Sequence, residues 1–199
     1  PRQAGAADRK VSENELGLVD QLSSRSCYDE GKRFAETLVV NYHEVFGLDT
    51  KIIRLFRVYG PRMELNDDQM IPDFINNALD GKDLVIFGDD RFSSSFCYVD
   101  DAIDAAVKLM GSKEAGPINI GSDVDVNFTD LAMMIIRATN SDSRIVYKDE
   151  RLFMSELVLP DIRLARENLG WMPVVTLENG LNKTIFALQA QKRLRGFQA

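Results

Sequence analysis

The chain has 199 residues, a net charge of −7, and hydrophobic and charged fractions of 45% and 28%, enough for one substantial core in an ordinary globular protein. The acidic balance argues against a nucleic-acid surface, and no apolar run approaches the ~20 residues of a membrane span. One histidine, His43, and two cysteines, Cys27 and Cys97, leave no imidazole triad, no metal-ligand spacing and no disulfide framework, so the setting expected is reducing and cytoplasmic.

Residues 1–25 are small and polar, predicting a long loop in which Ser24 or Ser26 caps the following helix. From Ser26 to Phe46 the residues Ala35, Leu38, Val39, Tyr42 and Phe46 recur at helical spacing until Gly47 stops them. His43 reads as a solvated residue of that helix. "TKIIRLFRVYG" (50–60) is an almost unbroken β-rich run, expected to be one parallel strand covered on both faces. A helix over Ile71–Leu79 ends at Gly81, and "KDLVIFGDD" supplies a strand and turn. "FCYVDDAIDAAVKLMG" follows with a brief strand and a helix capped by Asp100 or Asp101 and ended by Gly111. "GPINIG" is a strand, Thr129 caps a helix to about Ala138, and "RIVYKD" is another strand. Pro160–Asp161 opens a helix ending at Leu169–Gly170, and a last helix begins at "LENGL". Alternating helices and strands make the chain α/β. Trp171 reads as a packed corner, Met133 and Met134 as core, and the acidic pairs Asp67–Asp68, Asp89–Asp90 and Asp100–Asp101 as turns and caps rather than a metal site.

Within "SRSCYDEGKRFAETL" (24–38), Tyr28 and Lys32 stand one helical turn apart and share a face. They are either an acid–base pair or a packed tyrosine beside a solvated lysine. As a pair they would do specific chemistry. A phenol is a poor base at neutral pH unless a nearby ammonium favours its phenolate; tuned in this way, it can take a proton from a sugar hydroxyl as hydride leaves the same carbon.

Context favours the pair. "SCYDEGKRFAETL", "IIRLFRVYGPRM", "IPDFINNALDGKDLVIFGDD", "SFCYVDDAIDA", "PINIG" and "PDIRLARENLGWMPVVTLENGL" follow one another in order. Together they resemble the extended short-chain dehydrogenase/reductases, the NAD-dependent epimerases and dehydratases of nucleotide sugars, and most of all their UDP-glucuronate decarboxylase branch. The resemblance implies Tyr28 as catalytic acid/base, Lys32 on the nicotinamide ribose, Val58 beside the nicotinamide, and Tyr42, Arg57 and Arg62 toward the sugar nucleotide. The Tyr28–Lys32 pair is then expected to face a cleft at the carboxyl end of the 50–58 strand. The implied substrate is UDP-linked, with a 4-epimerase or 4,6-dehydratase as the alternative reaction. The implied assembly is a homodimer through the 26–46 helix.

The family's glycine-rich strand–turn–helix, which cradles the dinucleotide pyrophosphate, is missing: no G-x-G-x-x-G or G-x-x-G-x-x-G occurs in the 199 residues. The chain is therefore expected to be the carboxyl-terminal portion of such an enzyme, inactive by itself. Residues 1–60, joined by 96–122, would trail the Rossmann-type dinucleotide domain, and 61–95 with 123–199 would form a smaller α/β sugar-nucleotide lobe. Arg57 replaces a usual Asn, Asp68–Gln69 a usual Gly-Arg, and Ser94 and Val158 replace arginines that would grip the diphosphate. Arg57, Arg62 and Arg91 remain to compensate. These departures keep open a third reading, a non-catalytic binding or dimerisation module.

Overall fold

Parallel pairing sets the architecture. β2 (Ile52–Leu55) lies parallel to β7 (Pro117–Ile120), β3 (Val58–Tyr59) to β6 (Cys97–Tyr98), and β4 (Leu84–Phe87) to β9 (Ile145–Lys148). Parallel partners need long crossovers, and the helices α2 (Met70–Leu79), α3 (Val99–Met110) and α4 (Phe128–Thr139) lie within them. This structure, a computed structural model, describes residues 10–65, 69–149 and 158–196. The Asp67–Asp68 pair lies outside them.

Two cores hold the described residues together. Phe74 and Ile75 of α2, Leu131 and Ile135 of α4, Leu84 and Ile86 of β4, and Leu188 of α6 (Leu177–Gly196) form the larger. Ala105 and Leu109 of α3, Ile118 and Ile120 of β7, Ala165 of α5 (Arg163–Leu169) and Trp171 form the smaller. Gly180 of α6 touches Tyr59 and Tyr98 so closely that a Cβ there would overlap the Tyr59 hydroxyl, which donates to the Leu177 carbonyl at 3.2 Å.

Helix α1 (Ser26–Phe46) belongs to neither core and has no buried residue. Its expected stop is present: Gly47 adopts a left-handed conformation (φ 64°) and its N–H donates to the His43 carbonyl. Trp171 is the expected packed corner, 1% exposed, its indole N–H donating to the Asp101 carbonyl. Met134 packs against the larger core, and Met133 is half-buried.

Several local expectations are corrected. The run 50–60 is two strands, because Arg57 takes a left-handed conformation (φ 42°) that breaks the extended backbone. The Phe56 N–H still donates to Ile120 of β7, whereas the Arg57 carbonyl accepts from Cys97 of β6, so the chain changes partner at the kink. Coverage on both faces also fails, for Leu55 is 54% exposed. The segment before α1 is not all loop: β1 (Lys10–Val11) pairs in parallel with β10 (Leu159–Pro160). A short antiparallel pair, β5 (Ser93–Ser94) with β8 (Val126–Asn127), was equally unexpected. Caps move too. Arg25 holds the N-cap position of α1 without a side-chain bond, and Asn127, not Thr129, caps α4 by accepting from the Thr129 N–H at 2.7 Å. Neither Asp100 nor Asp101 caps α3, since both lie in its first turn.

Candidate functional site

The first two turns of α1 bring Tyr28 and Lys32 together. The Lys32 ammonium sits over the Tyr28 ring, 5.5 Å from its centroid, and the Arg25 guanidinium stands 4.7 Å away. Arg25 also pairs with Asp29 one turn on, through Nε to Oδ1 at 3.2 Å. Tyr28 is 55% exposed, so its phenol meets cations and solvent rather than a core.

A cavity of about 1040 Å³ opens between the segment 15–20, α1 and the β2–β7 pair, and Lys32, Arg33, Glu36, Ile52, Arg54 and Pro117 help line it. Lys32 faces this space; Tyr28 is not among its lining residues. Ile52 and Pro117 begin their strands and Arg54 lies in the carboxyl half of β2, so the cavity runs along the β2–β7 pair, and Val58 is not among its lining residues.

The other sequence-derived residues fall elsewhere. Tyr42 is exposed on α1 and packs its ring against Phe46, 5.2 Å between centroids. Arg57 is half-buried at the strand kink, and Val58 starts β3 against the smaller core. Arg62 is exposed in the turn after Gly60–Pro61. Arg91 is engaged by Asp89, whose hydrogen bond raises the guanidinium further above its usual range. Ser94, at a position where the resembled family has an arginine, is 1% exposed with a hydroxyl that meets no hydrogen-bond partner among the described residues. Among the described residues no group of three or more His, Cys, Asp or Glu side chains could hold a metal ion.

One cluster had not been foreseen. Arg54 of β2 donates from Nε and one terminal nitrogen to both carboxylate oxygens of Glu36, at 2.7 and 2.6 Å, and from the other terminal nitrogen to the Glu13 carbonyl at 2.9 Å. The Glu13 side chain, 8% exposed, accepts from the Asn119 N–H of β7 at 2.9 Å. The hydrogen bond to the Glu36 carboxylate raises the Arg54 pKa, against a smaller opposing effect of burial. A lone arginine inside the apolar run "IIRLF" was the available signal, because a cation there must find a partner.

Residues 3–121 match the model of the NAD dependent epimerase/dehydratase family. The chain belongs to that family. It is 38% identical over 174 residues to UDP-glucuronic acid decarboxylase 1 of Xenopus tropicalis, covering 87% of this chain and 41% of that protein. It is 39% identical over 169 residues to UDP-glucuronic acid decarboxylase 3 of Arabidopsis thaliana, covering 85% and 49%. The chain thus spans about half the length of the curated relatives it matches. Among solved structures, the UDP-glucuronic acid 4-epimerase of Bacillus cereus in complex with NAD superposes with a TM-score of 0.78 at 27% identity, over 93% of this chain and 58% of that one. The UDP-glucose 4-epimerase of Thermotoga maritima, with UDP-glucose, gives a TM-score of 0.78 at 26% identity, over 90% and 60%. The α/β fold with parallel pairs is therefore of the Rossmann type, as the sequence implied. No helix among the described residues is long and apolar enough to cross a membrane.

Proposed function

We propose that this chain carries the acid–base helix and the sugar-nucleotide lobe of an NAD-dependent enzyme of the UDP-glucuronate decarboxylase type. The observation that carries the reading is the Tyr28–Lys32 pair, with the ammonium over the phenol ring on the first turns of α1. The 38% and 39% identities to decarboxylases support the choice of reaction. Residues 1–60 and 96–122 would serve the dinucleotide side, and 61–95 with 123–199 the sugar side.

In this reading Tyr28 takes the proton of the sugar 4-hydroxyl and later returns it. Lys32 would orient the phenol and hold the nicotinamide ribose, with Val58 beside the ring. When bound, the dinucleotide supplies a reversible hydride acceptor. Tyr42, Arg57 and Arg62 would hold the sugar nucleotide while the 4-keto sugar, a β-keto acid, loses CO₂. The ribose end of the cofactor thus has candidate partners, but the pyrophosphate end has none of the glycine-rich turn it needs, so the chain alone should be inactive.

Two other readings have their own support. Superposition on a UDP-glucuronic acid 4-epimerase favours a reaction that keeps the carboxylate. Ser94, buried where the family has a cation and without a hydrogen-bond partner among the described residues, would weaken the grip on the diphosphate and so favours a non-catalytic module. In either case α1 would join two copies of the chain, and the free thiols of Cys27 and Cys97 suit a reducing, cytoplasmic compartment.

The test is to fuse the chain behind the glycine-rich half of the Xenopus decarboxylase and measure CO₂ release from UDP-glucuronate. Release that Tyr28→Phe lowers by about 10²–10⁴-fold is expected. The unfused chain should release none and should show no micromolar NAD⁺ affinity by calorimetry. A fused protein that interconverts sugar epimers without CO₂ would establish the epimerase instead, and activity indifferent to Tyr28→Phe would remove the reading.

A further inference from the structure

We propose that Arg54 is a positioning residue for the Tyr28–Lys32 pair: through its fork on Glu36 it sets the rotation of α1 about its own axis. The proposal rests on reading that pair as the acid–base pair. Its physical basis is that α1 has no buried residue, so apolar packing within the chain does not fix which face it turns to the sheet. A polar tie must do so.

Glu36 is the fitting attachment. Residues 28, 32 and 36 succeed one another at four-residue steps, so tyrosine, lysine and anchor lie along one stripe of the helix. Pulling Glu36 onto β2 brings that stripe round with it, and Lys32 and Glu36 do line the same cavity. The fork fixes an angle as well as a distance, because two parallel N–H bonds meet two carboxylate oxygens at 2.7 and 2.6 Å. The remaining Arg54 nitrogen is held by the Glu13 carbonyl, and Glu13 by the Asn119 N–H, so the fork is braced from β7. Other ties of α1, including His43 Nδ1 to the Leu48 carbonyl at 2.7 Å, are single hydrogen bonds without a fork. Arg33 reaches the Gly17 carbonyl at an exposed site, and the Thr50 hydroxyl reaches Val39 only at 3.4 Å.

Cys27 offers a probe of α1 on the same helix. It is exposed, while Cys97 is 1% exposed and burial pushes its thiol up to about 12, so a nitroxide reagent should label Cys27 alone. The experiment compares the wild type with Arg54→Met, Arg54→Lys, Glu36→Gln and the charge swap Arg54→Glu/Glu36→Arg. Spin-label mobility and amide exchange of α1 are read beside exchange of α2, α4 and α6. Arg54→Met should sharpen the spectrum and speed α1 exchange about tenfold while leaving the other helices unchanged. Arg54→Lys should do nearly the same, because a lysine keeps the charge but loses the fork. The swap should restore much of the protection, and Glu36→Gln, which keeps one acceptor oxygen for the fork but loses the charge, should fall between. Unchanged α1 exchange in Arg54→Met and Glu36→Gln would overturn the proposal, and so would an equal rise in every helix, which would make Arg54 a general stabiliser. Failure of the acid–base reading shows separately, as fused-enzyme activity that survives Tyr28→Phe.

Discussion

Asp101 ties two distant stretches of chain with one side chain. It is 5% exposed, and its carboxylate accepts the N–H groups of Val174 and Val175 at 3.2 and 3.0 Å while its own carbonyl accepts the Trp171 indole N–H. Truncating it strands two backbone donors, so Asp101→Ala should cost about 2–4 kcal/mol. Asp101→Asn, which keeps one acceptor oxygen, should lose roughly half as much. Urea unfolding followed by Trp171 fluorescence measures both, and a midpoint unmoved by Asp101→Ala would show the carboxylate to be dispensable. Sequence reading took Asp101 for a helix cap because caps are local, whereas its partners lie more than 70 residues downstream. Tyr28 and Lys32 were legible for the opposite reason, since helical spacing alone puts them on one face. Arg54 was legible as a question, a charge in an apolar run, but not in its answer, because Glu36 and Glu13 come from other parts of the chain.

Helix α1 carries a second, apolar stripe that is exposed among the described residues. Phe34, Leu38 and Val45 recur at helical spacing, exposed by 63%, 43% and 67%, and Phe46 adds 66%. Phe34 is two residues from Glu36, about half a turn, so this stripe points away from the tie to β2. Contiguous apolar surface of this kind marks an interaction site. The expected outcome in light scattering is a particle of twice the 22.4 kDa chain mass, which Phe34→Glu with Leu38→Glu reduces to the monomer. A monomer in the unmutated chain would count decisively against α1 as a dimer helix. Long periodic elements such as α1, and the glycine that ends it, could be read from sequence because period and cap agree. The two-residue strands β1, β5, β8 and β10 could not, for two residues carry no period and their pairing is decided by distant partners.

At the scale of the whole molecule, two depressed carboxylates, Asp80 and Asp123, tie distant elements together, and a third, Asp161, is held by a cation two residues on. Lys192 of α6, donating to Asp80 beyond α2, holds that carboxyl below its usual range. Arg163 does the same for Asp161, next to β10. Asp123 suffers desolvation that would raise it, but Lys10 of β1 and Arg166 of α5 outweigh this and hold it low. The α/β class was legible from the alternation of elements; the pairing of Asp80 with Lys192 and of Asp123 with Lys10 and Arg166 was not, because charge alone names no partner. Their consequence for stability has a definite sign. A carboxyl depressed in the folded state keeps its charge there after the unfolded chain, titrating near ~3.9, has begun to bind protons. The stabilisation is complete at neutral pH and is lost as pH falls through the unfolded value toward the folded ones. The urea midpoint, followed by Trp171 fluorescence, should therefore stay nearly level from pH 7 to about 5 and drop between about 5 and 3. Replacing Asp80, Asp123 and Asp161 together by Asn should lower the midpoint at pH 7 yet shrink that acid drop. A variant whose midpoint falls as steeply as the wild type's between pH 5 and 3 would show that acid acts through other groups and that these three ties do not govern the response.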